Sequence, residues 1–146
     1  MKLSDYIKIF SEMEREAYNI YEKIKAKSEE KIAAVASKFA NEELAHENLL
    51  NTLCKEIIDS EIDDSLMHTS ELNINPLKTD EIDLILKSQK DFFLYALQGE
   101  KKSILMYNEF KKNFEVTSTE YKLFNRLVDG EKEHMHYILK TLHELS

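Results

Sequence analysis

The sequence predicts an all-α protein, an antiparallel four-helix bundle built from two helical hairpins joined by one long crossover. Three observations carry that prediction. Only two Gly and one Pro stand in 146 residues, while Leu, Lys, Glu and Ile are abundant, a composition that favours helix. Apolar residues recur at steps of three and four over four long stretches, and no run alternates apolar with polar as a half-buried strand would. The chain also repeats one device: a lone glutamate is followed, after one helix and a turn, by Glu-x-x-His. Glu14 precedes Glu43 and His46, and Glu100 precedes Glu131 and His134.

At this length residues 1–146 suit a single domain with a sizeable core. The first hairpin is expected over 4–58, the crossover over 59–79 and the second hairpin over 80–145. Ser4 offers an N-cap with Asp5 in the first turn, and Ile7, Phe10, Ala17, Tyr21 and Ile24 then mark the inner face of a helix ending near Lys27. Glu14 falls inside that apolar stripe, whereas Glu12, Glu16 and Glu22 lie off it. A turn at Ser28 to Glu30 leads to a second helix with Ile32, Val35, Phe39, Glu43, His46, Leu50, Leu53 and Ile57 on one face. In an antiparallel hairpin, residues equidistant from the turn stand at the same height; the midpoint between Glu14 and Glu43 falls at Ser28, so the two should meet.

From Asp59 to Thr79 the periodicity breaks, and this stretch holds the only proline, Pro76, together with His68. It is long for a bundle loop but suits a connection that must travel the length of a bundle. Thr79, Asp80 and Glu81 open a third helix with Ile82, Leu86, Phe93, Ala96, Glu100, Ser103, Tyr107 and Phe110 inward, ending near Asn113. Thr117 with Glu120 reads as a capping box, and the fourth helix turns Tyr121, Phe124, Leu127, Glu131, His134, Ile138 and Leu142 inward. The midpoint between Glu100 and Glu131 again lands in the turn, at Glu115 and Val116.

Charge and composition exclude several classes. The net charge is −8 with basic residues scattered among acidic ones, so a phosphate backbone would be repelled and nucleic acid is not an expected partner. No apolar run approaches the ~20 residues that span a bilayer, and the first residues lack a signal peptide's apolar core; a cytoplasmic protein with no membrane partner is expected. Cys54 is the only cysteine, which excludes an internal disulfide and a cysteine-pair metal site; it reads as a small buried hydrophobe.

Four carboxylates in one apolar interior cost many kcal/mol unless neutralised. Two divalent cations would neutralise Glu14, Glu43, Glu100 and Glu131, with a neutral imidazole from His46 and from His134 on each ion. Two lone glutamates plus two Glu-x-x-His pairs form the ligand set of a di-iron helical bundle. Mixed carboxylate and imidazole donors suit iron or manganese, and zinc also fits. Glutamate is frequent here, and Glu133 with His136 forms a third such pair off the inward face; the assignment therefore rests on the coincidence of both inward pairs, both lone glutamates and both midpoints. Tyr21 and Tyr107 each follow a lone glutamate by seven residues and read either as core aromatics or as hydrogen-bond partners of ligand carboxylates. The two glycines, Gly99 and Gly130, each directly precede a candidate ligand and read either as positions that allow close helix approach or a π-bulge, or as ordinary helix packing.

The segments E-R-E-A-Y-N-I-Y from Glu14, E-E-L-A-H from Glu42, G-E-K-K-S-I-L-M-Y from Gly99 and G-E-K-E-H from Gly130 resemble the rubrerythrin branch of the ferritin-like superfamily, over essentially the whole chain. The resemblance implies a ferritin-like bundle in which Glu14, Glu43, His46, Glu100, Glu131 and His134 bind two irons. It also implies that Tyr21 and Tyr107 hydrogen-bond ligand carboxylates. The implied activity is reduction of hydrogen peroxide to water, one electron coming from each iron. Two departures qualify it. The chain has no rubredoxin-like four-cysteine site, so electrons would come from an external rubredoxin or flavoprotein. Where full-length rubrerythrins carry a further glutamate three residues after the helix-3 ligand, this chain has Ser103, which weakens the expectation of peroxide over oxygen. An oxygen-dependent oxidase or ferroxidase with an iron-handling role is the alternative, and a metal-free or zinc-bound helical binding module is the alternative from a different class. Ferritin-like bundles often associate side by side, so a homodimer is expected, and the long connection would permit exchange of hairpins between copies.

Overall fold

A computed structural model describes residues 1–63 and 79–145, with the backbone alone described at 79 and 80. These residues form five helices and no strand: α1 Leu3–Lys27, α2 Glu30–Glu56, α3 Thr79–Ile85, α4 Gln89–Lys111 and α5 Thr119–Leu145. The all-α class follows directly from a chain poor in helix breakers. Among the described residues no helix is long and apolar enough to cross a membrane. The chain divides into two compact units, Met1–Pro76 and Leu77–Ser146, whose boundary falls inside the expected crossover. Residues 64–78 of that crossover, including His68 and Pro76, lie outside the described residues.

In the first unit α1 and α2 pack antiparallel across a two-residue connection, Ser28 and Glu29. Most of the stripe read from the sequence is buried: Ile7, Phe10, Tyr21 and Ile24 on α1, and Ile32, Val35, Phe39, Leu50 and Leu53 on α2; Ala17 is half-buried, as is Ile57, which caps the end of α2 and is not within it. Tyr21 meets Phe39 edge to face, with ring centroids 5.5 Å apart, a favoured aromatic geometry. The start of α1 differs from the expectation. Lys2, not Ser4, is the N-cap, and its backbone N–H donates to Asp5 Oδ2 at 3.1 Å. Ser4 is engaged instead by Asp59, just beyond the end of α2: its hydroxyl donates to Asp59 Oδ2 at 2.6 Å and its N–H to Asp59 Oδ1 at 3.0 Å. Leu3 N–H donates to the Ser60 carbonyl and Ile62 N–H to the Met1 carbonyl, so residues 59–62 close the open end of the hairpin. The sequence could not reveal this because the partners lie 55 residues apart.

In the second unit the expected third helix is broken. Its span carries two helices, α3 and α4, separated at residues 86–88. Ser88 ends the continuity: extended in backbone, it accepts the N–H of Asp91 on its hydroxyl at 3.0 Å and so caps α4. Ser-x-x-Asp is an N-cap signature that the apolar period running through Ile82, Leu86 and Phe93 conceals. A similar shift occurs at α5, where Ser118 rather than Thr117 is the cap, accepting the Tyr121 N–H at 3.1 Å. α4 and α5 then pack antiparallel over Phe93, Ala96, Tyr107 and Phe110 on one side and Phe124, Leu127 and Ile138 on the other, all buried. Next to the turn an aromatic cluster fills the interior. Phe124 stands 4.9 Å from Phe110, 5.9 Å from Tyr107 and 6.0 Å from Phe114 between ring centroids, the last pair stacked.

Candidate metal centre

Each hairpin carries one group of metal-ligand type in its buried interior. In the first, Glu14 on α1 and Glu43 and His46 on α2 are 3%, 4% and 8% exposed, and each offers a donor atom within 4.8 Å of the others. Glu43 and His46 share a helix face because they are three residues apart. Glu14 joins them because the hairpin turns midway between the two helices. His46 Nδ1 lies 3.7 Å from Glu14 Oε1.

The second hairpin repeats the construction with Glu100 on α4 and Glu131 and His134 on α5, which are 3%, 1% and 5% exposed and again place donor atoms within 4.8 Å of one another. Here the imidazole stands between its two carboxylates, with His134 Nδ1 3.3 Å from Glu100 Oε1 and 3.9 Å from Glu131 Oε2. The shorter contact is a hydrogen bond in whichever tautomer or charge state puts a proton between them.

All six residues singled out from the sequence are thus buried, and they fall into two triads, one per hairpin. Buried polar side chains at this density need neutralisation, and the donor chemistry fits a cation. Ligands at about 2.1 Å from a common ion lie roughly 3 to 4 Å apart, and the imidazole-to-carboxylate separations of 3.3 to 3.9 Å fall in that range. Buried Glu and His clusters of this kind can hold a metal ion. Carboxylate and imidazole donors accept iron, manganese and zinc alike, so the geometry names no metal.

Tyr21 and Tyr107 are both buried, at 6% and 0% exposure, each against a phenylalanine of the neighbouring helix. Ser103 is half-buried one helical turn beyond Glu100. His136, His143 and Glu133 are exposed, so the third Glu-x-x-His pair takes no part in either triad. One expectation fails and one alternative is decided. Cys54 is exposed, not buried, because it follows Leu53, the residue that faces inward, by one position and is therefore turned about 100° away. Both glycines lie in regular α-helix with no π turn, and a Cβ at Gly99 would meet nothing within 4 Å; Gly99 serves neither close approach nor a bulge.

One feature escaped the sequence reading. Arg15, next to Glu14, reaches Glu47, next to His46, through two contacts: Nε to Oε2 at 2.7 Å and Nη2 to Oε1 at 3.0 Å. The midpoint of the turn sets Arg15 level with Glu42, so Glu47, five residues further along α2, is reached by the length of the arginine side chain and not by level pairing. Comparison with family models, with curated proteins and with solved structures finds no match.

Proposed function

We propose that the two triads combine in a ferritin-like four-helix bundle to hold two iron ions, and that the protein is a rubrerythrin-like oxidoreductase reducing hydrogen peroxide to water. The observation that carries this reading is that each hairpin by itself gathers two carboxylates and an imidazole in a buried interior. Two such sets offer four negative charges, the complement of two divalent ions.

When bound, a ferrous pair supplies the two electrons that, with two protons, convert one peroxide into two waters, and an external donor such as rubredoxin or a flavoprotein restores them. The chain's own part is to bind and to orient. Glu14, Glu43, Glu100 and Glu131 neutralise the ions and tolerate the rise in charge on oxidation, while His46 and His134 present neutral nitrogens that fix one direction at each position. Tyr21 and Tyr107 hold carboxylate orientation through their phenol groups. The aliphatic and aromatic side chains around the triads keep bulk water out, which strengthens every electrostatic contact within.

One observation favours a second reading. Ser103, one turn after Glu100, provides a hydroxyl where a further carboxylate would serve peroxide reduction, and this favours an oxygen-dependent oxidase or ferroxidase. Anaerobic loading with Fe(II) followed by rapid mixing with peroxide or with oxygen separates the readings. About two irons per chain, oxidised faster by peroxide, is the expected result, and Tyr21→Phe and Tyr107→Phe should slow that oxidation without releasing iron. Faster reaction with oxygen would move the assignment to the oxidase. A chain that takes up no iron, and whose helicity is unchanged by chelation, would be a metal-free binding or structural module.

A further inference from the structure

Arg15 and Glu47 each lie one residue beyond a member of the first triad, Arg15 after Glu14 on α1 and Glu47 after His46 on α2. Consecutive helical residues differ by about 1.5 Å in height and 100° in direction, so a crosslink between Arg15 and Glu47 constrains the level and rotation of the two residues beside it. The crosslink is stiff for a surface pair. The guanidinium donates one hydrogen bond, from Nη2 to Glu47 Oε1 at 3.0 Å, and sets Nε in ion-pair contact with Oε2 at 2.7 Å; the Glu47 side chain is only 12% exposed, and the guanidinium also lies over the Tyr18 ring, 5.3 Å from its centroid. Two guanidinium nitrogens against the two oxygens of one carboxylate, with the guanidinium plane seated on a ring, restrict orientation as well as distance. In the second hairpin the positions corresponding to Arg15 and Glu47 are Lys101 and Met135, which cannot make such a bond.

We propose that Arg15 and Glu47 are positioning residues for the first triad alone, holding α1 and α2 in the register that sets Glu14 against His46, so that the two metal positions are inequivalent. The inference rests on the metal-binding reading above and deepens it: the first triad depends on a clamp beside it, whereas the second does not. Removing both partners together, Arg15→Met with Glu47→Met, leaves the net charge near the site unchanged and deletes only the fork.

The test is titration with Co(II), followed by visible absorption and calorimetry, in two backgrounds. His134→Ala leaves the first triad intact, and His46→Ala leaves the second. Deleting the fork should weaken Co(II) binding about tenfold in the His134→Ala background, the low end for groups that orient ligands without touching the metal, and leave it unchanged in the His46→Ala background. The exchanged pair, Arg15→Glu with Glu47→Arg, should recover most of the loss, and Arg15→Lys, which keeps the charge but not the fork, should recover little. Equal weakening in both backgrounds, tracking a fall in Tm, would show a merely structural role and overturn the inference, as would no weakening in either. A wild-type chain that takes up no Co(II) removes the metal reading and this inference with it; uptake that is indifferent to the fork removes this inference alone.

Discussion

The two hairpins present the same three ligand types at nearly the same spacing, yet they are held together by different means. The first is fastened by polar groups at its level of function and at its open end: the Arg15–Glu47 fork beside the triad and the Ser4–Asp59 hydrogen bonds that close the termini. The second relies on aromatic packing next to its turn, where Phe124 touches three other rings, and on its imidazole lying within 3.9 Å of both carboxylates. A repeated ligand pattern therefore does not imply a repeated scaffold. What must be conserved between the halves for the ligands to meet is the midpoint of the turn and the inward face, and many packing solutions satisfy both.

The largest effect on stability should come from breaking the aromatic solution. Phe124 is fully buried, and Phe124→Ala should cost about 3 to 5 kcal/mol, the range for deleting a buried phenylalanine where the site cannot collapse. Phe39, buried on α2 and edge to face with Tyr21, supplies the comparison in the first hairpin, and Phe39→Ala should cost no more than the low end of that range because the substitution does not open a stacked cluster next to the turn. Urea unfolding of both variants measures the difference; equal losses would mean that the second hairpin draws no extra stability from its ring cluster.

A smaller gain is expected at Gly99. It lies mid-helix, exposed, with open space around its Cα, so Gly99→Ala should stabilise by up to about 1 kcal/mol through reduced chain entropy and better helix propensity. Thermal unfolding of the variant reads this directly. A loss instead of a gain would show that the glycine next to Glu100 serves the site after all, for instance by admitting a partner surface to α4.

Much of this organisation was legible in the sequence because it rests on period. The inner faces of α1, α2, α4 and α5, the six buried ligand-type residues and both turns follow from apolar spacing and from the reflection of an antiparallel hairpin about its turn. What escaped lies where local chemistry overrides period. Ser88 starts a new helix although Leu86 and Phe93 keep the apolar rhythm, because a hydroxyl accepting the Asp91 N–H competes successfully with helical continuation. Ser4 looked like a cap and is instead the partner of Asp59, a contact that only the folded hairpin creates. Cys54 was misplaced by a single residue, which on a helix is enough to exchange inside for outside.

The smallest expected effect probes the polar closure of the first hairpin. The hydroxyl of Ser4, and after it the Ser4 backbone N–H, hold the Asp59 carboxyl below its ordinary value of 3.8, against the small opposing effect of burial. Because the folded value is the lower one, this contribution is fully present above the unfolded value and is lost as pH falls through the folded one. Asp59→Asn keeps one acceptor oxygen but not the charge, so it should lower Tm slightly at neutral pH, and the gap to wild type should narrow as pH falls below about 4. The carboxyl is fully exposed to solvent, so salt should reduce the charged part of the effect as well. Ser4→Ala, which removes the hydroxyl donor but leaves the Ser4 N–H bond to Asp59 Oδ1, should give a gap of the same direction and pH dependence. A Tm difference that stays constant from pH 7 down to pH 3 would show that the closure is held by the backbone contacts of Leu3 and Ile62 and owes nothing to the ionised carboxylate.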